Sequence, residues 1–298
     1  MSRKLQADLM LVICAIAWGG TFVVVKNALA DSSVFVFLAL RFVLGALVLA
    51  TVQGKQWRAI DSGALKAGAV VGALLFTGFA FQTAGLQFTT PSKSAFITGT
   101  LVVLVPIFLS VFGRRRISAW IWAGVLASAA GLYFLTVPPS GFSRLNFGDV
   151  LTFCCAIAYA TYIVAVSHFA PHYPARILVF LQVAGTAALS VMAVPLWAAA
   201  GWEAPRISWT PGLIAAVAGT GIVTTAGTLM GQVWAQKYAA PSHVALILTL
   251  EPLCAAIISY LVEGERLGAR ATLGAVLILT GILVAELKGG VAAPVEPS

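Results

Sequence analysis

Ten apolar stretches, each about 20 residues long, limit the fold of this sequence more than any other feature. The hydrocarbon core of a bilayer is about 30 Å thick, and about 20 residues of helix cross it. Lipid offers backbone groups no hydrogen-bond partner, so spanning stretches must be helical. The composition agrees, because 60% of the residues are hydrophobic and 9% are charged, whereas soluble domains have roughly 45–50% and 25%. We therefore expect an all-α integral membrane protein with ten transmembrane helices, at residues 7–28, 34–52, 65–88, 94–112, 117–137, 148–166, 177–200, 212–235, 244–262 and 271–287.

The distribution of lysine and arginine predicts the orientation of the chain. These residues accumulate in the cytoplasmic loops of membrane proteins. If the N-terminus is cytoplasmic, eleven of them face the cytoplasm and six face the other side. The first apolar stretch follows Arg3 and Lys4 and, at about 20 residues, is longer than a signal-peptide core. We expect a multi-pass protein of the bacterial inner membrane with both termini in the cytoplasm.

The sequence contains an internal repeat. Cys14-Ala15-Ile16-Ala17-Trp18 recurs as Cys155-Ala156-Ile157-Ala158-Tyr159, and Asp8 recurs as Asp149 at the same offset of 141. We expect two repeats of five spans each, at residues 1–139 and 140–298. An offset of 150 aligns further pairs, which are Gln82 with Gln232, Pro91-Ser92 with Pro241-Ser242, Ala95 with Ala245, Arg116 with Arg266, Gly124 with Gly274, and Gly131 with Gly281.

Five spans per repeat is an odd number, so the second repeat enters the membrane upside down relative to the first. Inverted repeats are typical of secondary transporters, which expose one central site to either side in turn. We therefore expect a central cavity between the repeats and transport by alternating access. A duplicated membrane scaffold without transport activity is the alternative from a different functional class.

Short motifs near both ends of the sequence suggest a family. They are Trp18-Gly19-Gly20-Thr21-Phe22 with Lys26, Arg41-Phe42, Leu250-Glu251-Pro252, Gly264-Glu265-Arg266-Leu267, Gly274 and Gly281. In order and spacing they resemble the drug/metabolite transporter superfamily, specifically its EamA-type ten-helix exporters. The resemblance covers almost the whole chain and is closest to bacterial amino-acid exporters, including those for aromatic amino acids. It implies export of amino acids and related small metabolites across the inner membrane, driven by the substrate gradient or by proton exchange.

One position departs from the pattern of that family. The first-repeat counterpart of Gly264-Glu265-Arg266 is Arg114-Arg115-Arg116, so the acidic loop residue occurs once. We interpret this residue as a loop anchor rather than as part of the transport site.

Arg41 and Glu251 are the two ionisable residues that the sequence places well inside spans. A charge at the centre of a transmembrane helix costs roughly 2.5–3.5 kcal/mol on insertion scales, so such residues usually face a cavity. Arg41 is a candidate for binding a substrate carboxylate, or alternatively for snorkelling to the interface or pairing with a helix end. Glu251 is a candidate for titrating a proton or binding an amine, or alternatively for hydrogen bonding at the helix break of Pro252.

Neutral polar and aromatic side chains inside spans complete the predicted substrate-binding set. Gln82, Gln182 and Gln232 can hydrogen-bond a zwitterion, although glutamines also join neighbouring helices. Trp18 and Tyr159 are repeat partners and can stack on an aromatic substrate or cover a cation. Packing in the core or at the interface is the alternative for these rings.

Small residues and prolines predict where the helices move. Gly68 with Gly72, and Gly227 with Gly231, have the small-xxx-small spacing that permits close helix contact. Pro106 and Pro252 each remove a backbone hydrogen bond and can kink a helix. We expect the third, fourth, eighth and ninth spans to rock during transport, with tight static packing as the alternative.

Other classes of function lack support in the sequence. No glycine-rich phosphate loop is present, no nucleophile has a partner base, and His168, His172 and His243 show no metal-ligand spacing. We expect no enzyme, no catalytic residue, no cofactor and no metal. The net charge of +8 does not indicate nucleic acid, because the basic residues cluster between apolar stretches. The expected partners are a small-molecule substrate and membrane lipid; the sequence leaves the oligomeric state open.

A broad drug carrier or a sugar-phosphate carrier of the same superfamily is the alternative within transport. A phosphate group would require several cations in the cavity. Only Arg41 and Lys26 are candidates, and we interpret Lys26 as an interfacial anchor near the outer end of the first span.

Overall fold

The computed structural model describes residues 2–53, 60–112, 116–137, 139–141, 145–254, 257 and 268–288. Its helices are numbered below as spans in chain order. Six spans are continuous helices: Val34–Thr51 (span 2), Ser62–Phe88 (span 3), Ala119–Thr136 (span 5), Phe147–Phe169 (span 6), Ala175–Ala199 (span 7) and Ala269–Lys288 (span 10).

The other four spans are interrupted helices. Arg3–Gly19 and Thr21–Asp31 form span 1, and Pro91–Gly99 and Leu101–Val111 form span 4. Span 8 contains a π-helical segment, Gly219–Gly227, between Pro211–Ala218 and Thr228–Ala235. The helix Pro241–Leu248 turns at Thr249 and continues to Cys254 as span 9.

Within the described residues, nine helices are long and apolar enough to cross a membrane, and span 9 is a shorter apolar helix. The expected all-α membrane fold is therefore confirmed, and each described helix end lies within four residues of its predicted limit. The end of the predicted ninth span, the Gly264–Leu267 motif, Arg114 and Arg115 lie outside the described residues.

Helices begin earlier than their apolar stretches because polar residues cap the first turn. The Asp61 carboxylate accepts from the Ala64 N–H at the start of span 3. Thr90 and Thr210 directly precede the prolines that open spans 4 and 8. The side chain of each accepts a hydrogen bond from a backbone N–H group in the first turn. Such caps satisfy amides that have no partner within the helix.

Large apolar side chains lie on the outside of the molecule, as a lipid solvent requires. Leu126, Leu196 and Leu287 are 62%, 64% and 79% exposed. Spans 5 and 10 are the least buried, with 28% and 22% of their apolar windows buried inside the protein. These two spans therefore form the periphery, and the remaining spans surround the centre.

The contacts between spans follow a two-fold pattern. Span 3 packs on span 6, and its counterpart span 8 packs on span 1; likewise span 4 packs on span 6 and span 9 on span 1. Spans 5 and 10 pack against each other through glycines, and a Cβ added to Gly131 would lie 2.6 Å from the Gly274 oxygen. By this two-fold relation we assign spans 3, 4 and 6 to one set (the first group) and spans 8, 9 and 1 to its counterpart (the second group).

A buried ion pair fastens the first group. Lys93, at the start of span 4, contacts Asp149, at the start of span 6, at 2.5 Å, and these side chains are only 4% and 2% exposed. The hydroxyl of Thr89, at the end of span 3, donates to the same carboxylate at 2.7 Å. Asp149 also completes a capping box with Asn146 at the N-terminus of span 6.

The repeat partners of this ion pair form an ion pair in the second group. The offsets of 150 and 141 relate Lys93 to His243 and Asp149 to Asp8, and His243 Nε2 lies 2.9 Å from an Asp8 oxygen. This pair joins spans 9 and 1 and is more accessible, with side chains 15% and 19% exposed. Each three-span group therefore has its own polar fastening, at opposite ends of the molecule.

Candidate functional site

A cavity lies between the two groups, at the centre of the repeat symmetry. The empty space in it is about 540 Å³, a volume that includes the open solvent at its mouth. Spans 1, 3, 4, 6, 8 and 9 all line the cavity. Most of its lining consists of repeat partners at the offsets 141 and 150. These pairs are Trp18 with Tyr159, Thr21 with Tyr162, Phe79 with Leu229, Gln82 with Gln232, Thr98 with Leu248, and Leu101 with Glu251.

One lining pair breaks the symmetry in charge. Glu251 occupies a position whose partner in the first repeat is Leu101. Among the described residues, Glu251 is the only carboxylate that lines the cavity, and no lysine, arginine or histidine lines it. The cavity therefore carries one acidic group on an otherwise apolar and aromatic surface, a combination typical of small-molecule sites.

Aromatic rings form one wall of the cavity. The Phe79 and Tyr159 rings pack edge to face with their centroids 5.5 Å apart. Gly78 makes room for the Tyr159 ring, because a Cβ at that position would overlap it. The Tyr159 hydroxyl donates to Gln82 Oε1 at 3.5 Å, and the Trp18 indole donates to the Thr224 carbonyl at 3.1 Å. These bonds hold the two predicted rings in place beside the cavity.

The interruptions of spans 4 and 9 lie beside this cavity and share one local cause. The hydroxyls of Thr100 and Thr249 each donate to a carbonyl three residues earlier, at 2.6 Å. Their backbone N–H groups bond the same carbonyls at 3.1 Å, which tightens the turn. The helix Leu101–Val111 runs through Pro106, and span 4 is interrupted at Thr100 instead, so the kink at Pro106 stays a prediction. The break at Thr249 precedes Pro252 by three residues, which agrees better with the prediction.

The glycine pairs do not occupy matching places. Gly68 and Gly72 lie against Leu181 and Gln182 of span 7, where an added Cβ would collide with a side chain and with backbone. Gly231 contacts span 1, and Gly227 ends the π-helical segment. A hinge at the first pair receives no support, because span 3 is one unbroken helix there.

Arg41 does not line the cavity, contrary to the prediction that it binds substrate directly. It is 2% exposed, and its guanidinium donates to the hydroxyls of Thr225 at 2.9 Å and Thr224 at 3.2 Å. Its Cζ also lies 4.5 Å from the Phe79 ring centroid. The π-helical segment supplies both hydroxyls, and Phe79 stands between the charge and the cavity.

Gln182 is the repeat partner of Arg41 at the offset of 141, and it also lies outside the cavity lining. Its Oε1 accepts from the hydroxyl of Tyr162 at 3.3 Å. Of the seven predicted substrate-binding residues, the structure brings five together at the cavity, namely Trp18, Gln82, Tyr159, Gln232 and Glu251.

We expect Arg41→Gln to act on stability rather than on substrate selection. A desolvated cation–π contact contributes about 2 kcal/mol, so the variant should unfold at least that much more easily in detergent. Transport of a carboxylate substrate and of its amide should fall by the same factor. Measured uptake that drops selectively for the carboxylate substrate would instead place Arg41 in contact with the substrate.

Lys26 bridges the two groups instead of lying free at the interface. Its ammonium, on span 1, bonds the Leu86 carbonyl and those of Gln87 at 3.3 Å and Thr89 at 3.2 Å, at the end of span 3. The last carbonyls of a helix have no partners within it, and the helix dipole favours a cation there. The predicted interfacial position of Lys26 stays a prediction, and the structure adds that its ammonium binds the end of span 3.

The repeat partners of the Lys26 bridge form a second bridge at the opposite end. The offsets relate Lys26 to Ser167 and Leu86 to Gln236. The Gln236 amide, just after span 8, donates to the Ser167 hydroxyl at 2.9 Å and to the Ile163 carbonyl at 3.0 Å, both in span 6. One bridge between the groups thus depends on a cation and the other on a neutral amide.

Sequence reasoning missed several lining residues, among them Phe79, Thr98 and Tyr162. The repeat contained a signal for them, because each has a lining partner at the offset of 141 or 150. It also missed the grouping of His243 with Asp8 and Glu286, whose ligand atoms lie within 4.8 Å of one another. Lys4 bonds the Glu286 carboxylate, so we interpret this cluster as an ion-pair network.

Comparison with known proteins gives consistent results over the length of the chain. The profile of the EamA-like transporter family matches residues 5–137 and again residues 146–287. An uncharacterized transporter of Archaeoglobus fulgidus is 34% identical over 96% of this chain and 87% of its own length. The uncharacterized transporter YoaV of Bacillus subtilis is 23% identical over 92% of this chain and 94% of its own length. A solved structure with 20% identity covers 95% of this chain and 97% of its own, with a TM-score of 0.78, which shows a shared fold.

Proposed function

The chain belongs to the EamA-like transporter family of the drug/metabolite transporter superfamily, and from that premise we propose that it exports amino acids and related small metabolites by alternating access. The proposed mechanism is secondary transport, which does not use ATP directly, because the sequence contains no phosphate-binding loop for ATP. The proposed setting is the bacterial inner membrane with both termini in the cytoplasm, as the distribution of lysine and arginine favours. The proposed repeat boundary lies between residues 139 and 140.

The observation that carries the proposal is the cavity lined by repeat partners. A site shared equally by two inverted repeats can be exposed to either side by exchanging their conformations. Trp18 with Tyr159 and Gln82 with Gln232 represent this arrangement. A scaffold without transport activity would have no need for a symmetric cavity with glutamine and glutamate side chains at its centre.

The two groups supply the moving parts in this mechanism. Each group is internally fastened by its ion pair, Lys93 with Asp149 or His243 with Asp8, and so moves as one body. The Lys26 and Gln236 bridges join the bodies at opposite ends. Opening to the extracytoplasmic side requires the Lys26 bridge to separate, and opening to the cytoplasm requires the Gln236 bridge to separate.

The charge of the cavity favours amino acids over sugar phosphates. A phosphate would need cations to replace its hydration, and Arg41 and Lys26 both bond protein groups elsewhere. The aromatic wall of Phe79 and Tyr159 suits aromatic side chains. A broad range of apolar drugs remains the second candidate, favoured by the largely apolar lining.

Counterflow in liposomes tests this function. Protein reconstituted with unlabelled phenylalanine inside is expected to accumulate radiolabelled phenylalanine from outside, because alternating access exchanges substrate across the membrane. A panel of unlabelled amino acids, sugar phosphates and apolar drugs then ranks the substrates by competition. Accumulation equal to that of protein-free liposomes for every compound would contradict the proposal.

A further inference from the structure

Two side chains of the cavity lining, Glu251 and Gln232, carry acceptor atoms without a hydrogen-bond partner among the described residues. The Glu251 carboxylate receives no hydrogen bond from any described residue, although it lines the cavity. Gln232 is 2% exposed, and its Oε1 is buried without a partner. A buried acceptor without a partner carries a desolvation cost that a ligand with N–H groups can remove.

The protein itself uses four of the donors in the cavity lining. The Trp18 indole bonds a backbone carbonyl, and the hydroxyls of Tyr159 and Tyr162 donate to Gln82 and Gln182. The Thr21 hydroxyl donates to the Trp18 carbonyl at 2.8 Å. Among the described lining residues, the Thr98 hydroxyl and the glutamine amides are left as donors, and none of these donors carries a charge.

Among the described lining residues, the only acidic or basic side chain is therefore the Glu251 carboxylate, and the rings of Trp18, Phe79 and Tyr159 line the same cavity. Phe79 lines the cavity, whereas Arg41 does not, and the Cζ atom of Arg41 lies 4.5 Å from the centroid of the Phe79 ring. A protonated amine can donate a charge-assisted hydrogen bond to the Glu251 carboxylate and contact the rings of Trp18 and Tyr159 favourably. A carboxylate at the same place meets no cation and is repelled by Glu251 when that residue is ionised.

We propose that the cavity recognises its substrate by a protonated amine attached to an aromatic or apolar body, with Glu251 as its acceptor, and that a carboxylate on the substrate is not required. This inference rests on the proposed function for its site and narrows the substrate class. It predicts that amines lacking a carboxylate are substrates as good as the corresponding amino acids, or better ones.

Three ligands with the same phenyl body separate the contributions of the two charged groups. Phenylalanine has both groups, phenethylamine has only the amine, and 3-phenylpropionate has only the carboxylate. Isothermal titration calorimetry at pH 7 on the full chain in detergent is expected to show phenethylamine binding at least as tightly as phenylalanine. The carboxylate alone should bind about tenfold more weakly or worse, because one hydrogen bond to a charged group is lost.

A pair of variants tests the residue assignment. Glu251→Gln should weaken phenethylamine binding by about tenfold or more. Glu286→Gln, which alters a carboxylate outside the cavity, should leave that affinity unchanged. Size-exclusion profiles matching the unaltered protein show that both variants are folded, and the three-ligand comparison on the unaltered protein needs no variant.

The outcomes separate this inference from the proposed function. Phenethylamine binding at least tenfold weaker than phenylalanine would overturn the inference, even if phenylalanine is transported. Equal binding of 3-phenylpropionate, or binding of none of the three ligands, would also overturn it. Amine binding that depends on Glu251, without counterflow of any compound in liposomes, would support the inference and contradict transport.

Discussion

Asp149→Asn is expected to destabilise the protein by about 3–5 kcal/mol, the cost of removing one partner of a buried ion pair. Lys93 would keep its charge in a position that is only 4% exposed. The Thr89 hydroxyl, which joins the end of span 3 to this carboxylate, would lose a charged acceptor as well. Unfolding in mixed detergent micelles, followed by circular dichroism, measures the effect.

Asp8→Asn is the matched control, because Asp8 is the repeat partner of Asp149. Its ion pair with His243 is more accessible, and His243 also contacts Glu286 at 3.0 Å, so we expect a loss of about 0–1 kcal/mol. Equal destabilisation by the two variants would contradict the view that the first group is fastened mainly by Lys93 and Asp149.

The second large effect concerns the bridges between the groups. Lys26→Gln replaces an ammonium that bonds three carbonyls at the end of span 3, so the closed state at that end loses charge-assisted bonds. Each such bond contributes about 1.5–3 kcal/mol, and the resting population should shift by about tenfold or more toward the state open at that end. Gln236→Ala removes the opposite bridge and should shift the population the other way. Lys66→Gln, on an exposed lysine of span 3, is the control and should shift neither.

The sequence predicted the spans and much of the cavity, because both follow from patterns that the chain displays directly. Apolar length predicts a membrane helix, and the repeat predicts which residues meet at the axis. Trp18 with Tyr159 and Gln82 with Gln232 were expected as partners and line the cavity together. The wider lining obeys the same offsets, so a systematic use of the repeat would have found Tyr162 and Phe79.

The sequence patterns do not predict how far each side chain lies from the central cavity. Arg41 and Phe79 both lie inside spans, and only the packing of span 2 against the π-helical segment puts the cation behind the ring. The Lys26 bridge was missed because its partners are backbone carbonyls, which have no signature in the sequence. The interruption at Thr100 was not predicted, because a threonine hydroxyl that bonds its own helix leaves no pattern in the sequence.

The most direct test of alternating access is two-sided thiol labelling at the cavity. Leu101→Cys supplies the probe, in a background where Cys14, Cys154, Cys155 and Cys254 are replaced by alanine. A membrane-impermeant reagent is applied to right-side-out and to inside-out vesicles. With Lys26→Gln, labelling should become about tenfold faster from the extracytoplasmic face and slower from the cytoplasmic face, and Gln236→Ala should produce the reverse. Faster labelling from the same face in both variants, or from both faces in one variant, would contradict a single cavity that opens to each side in turn.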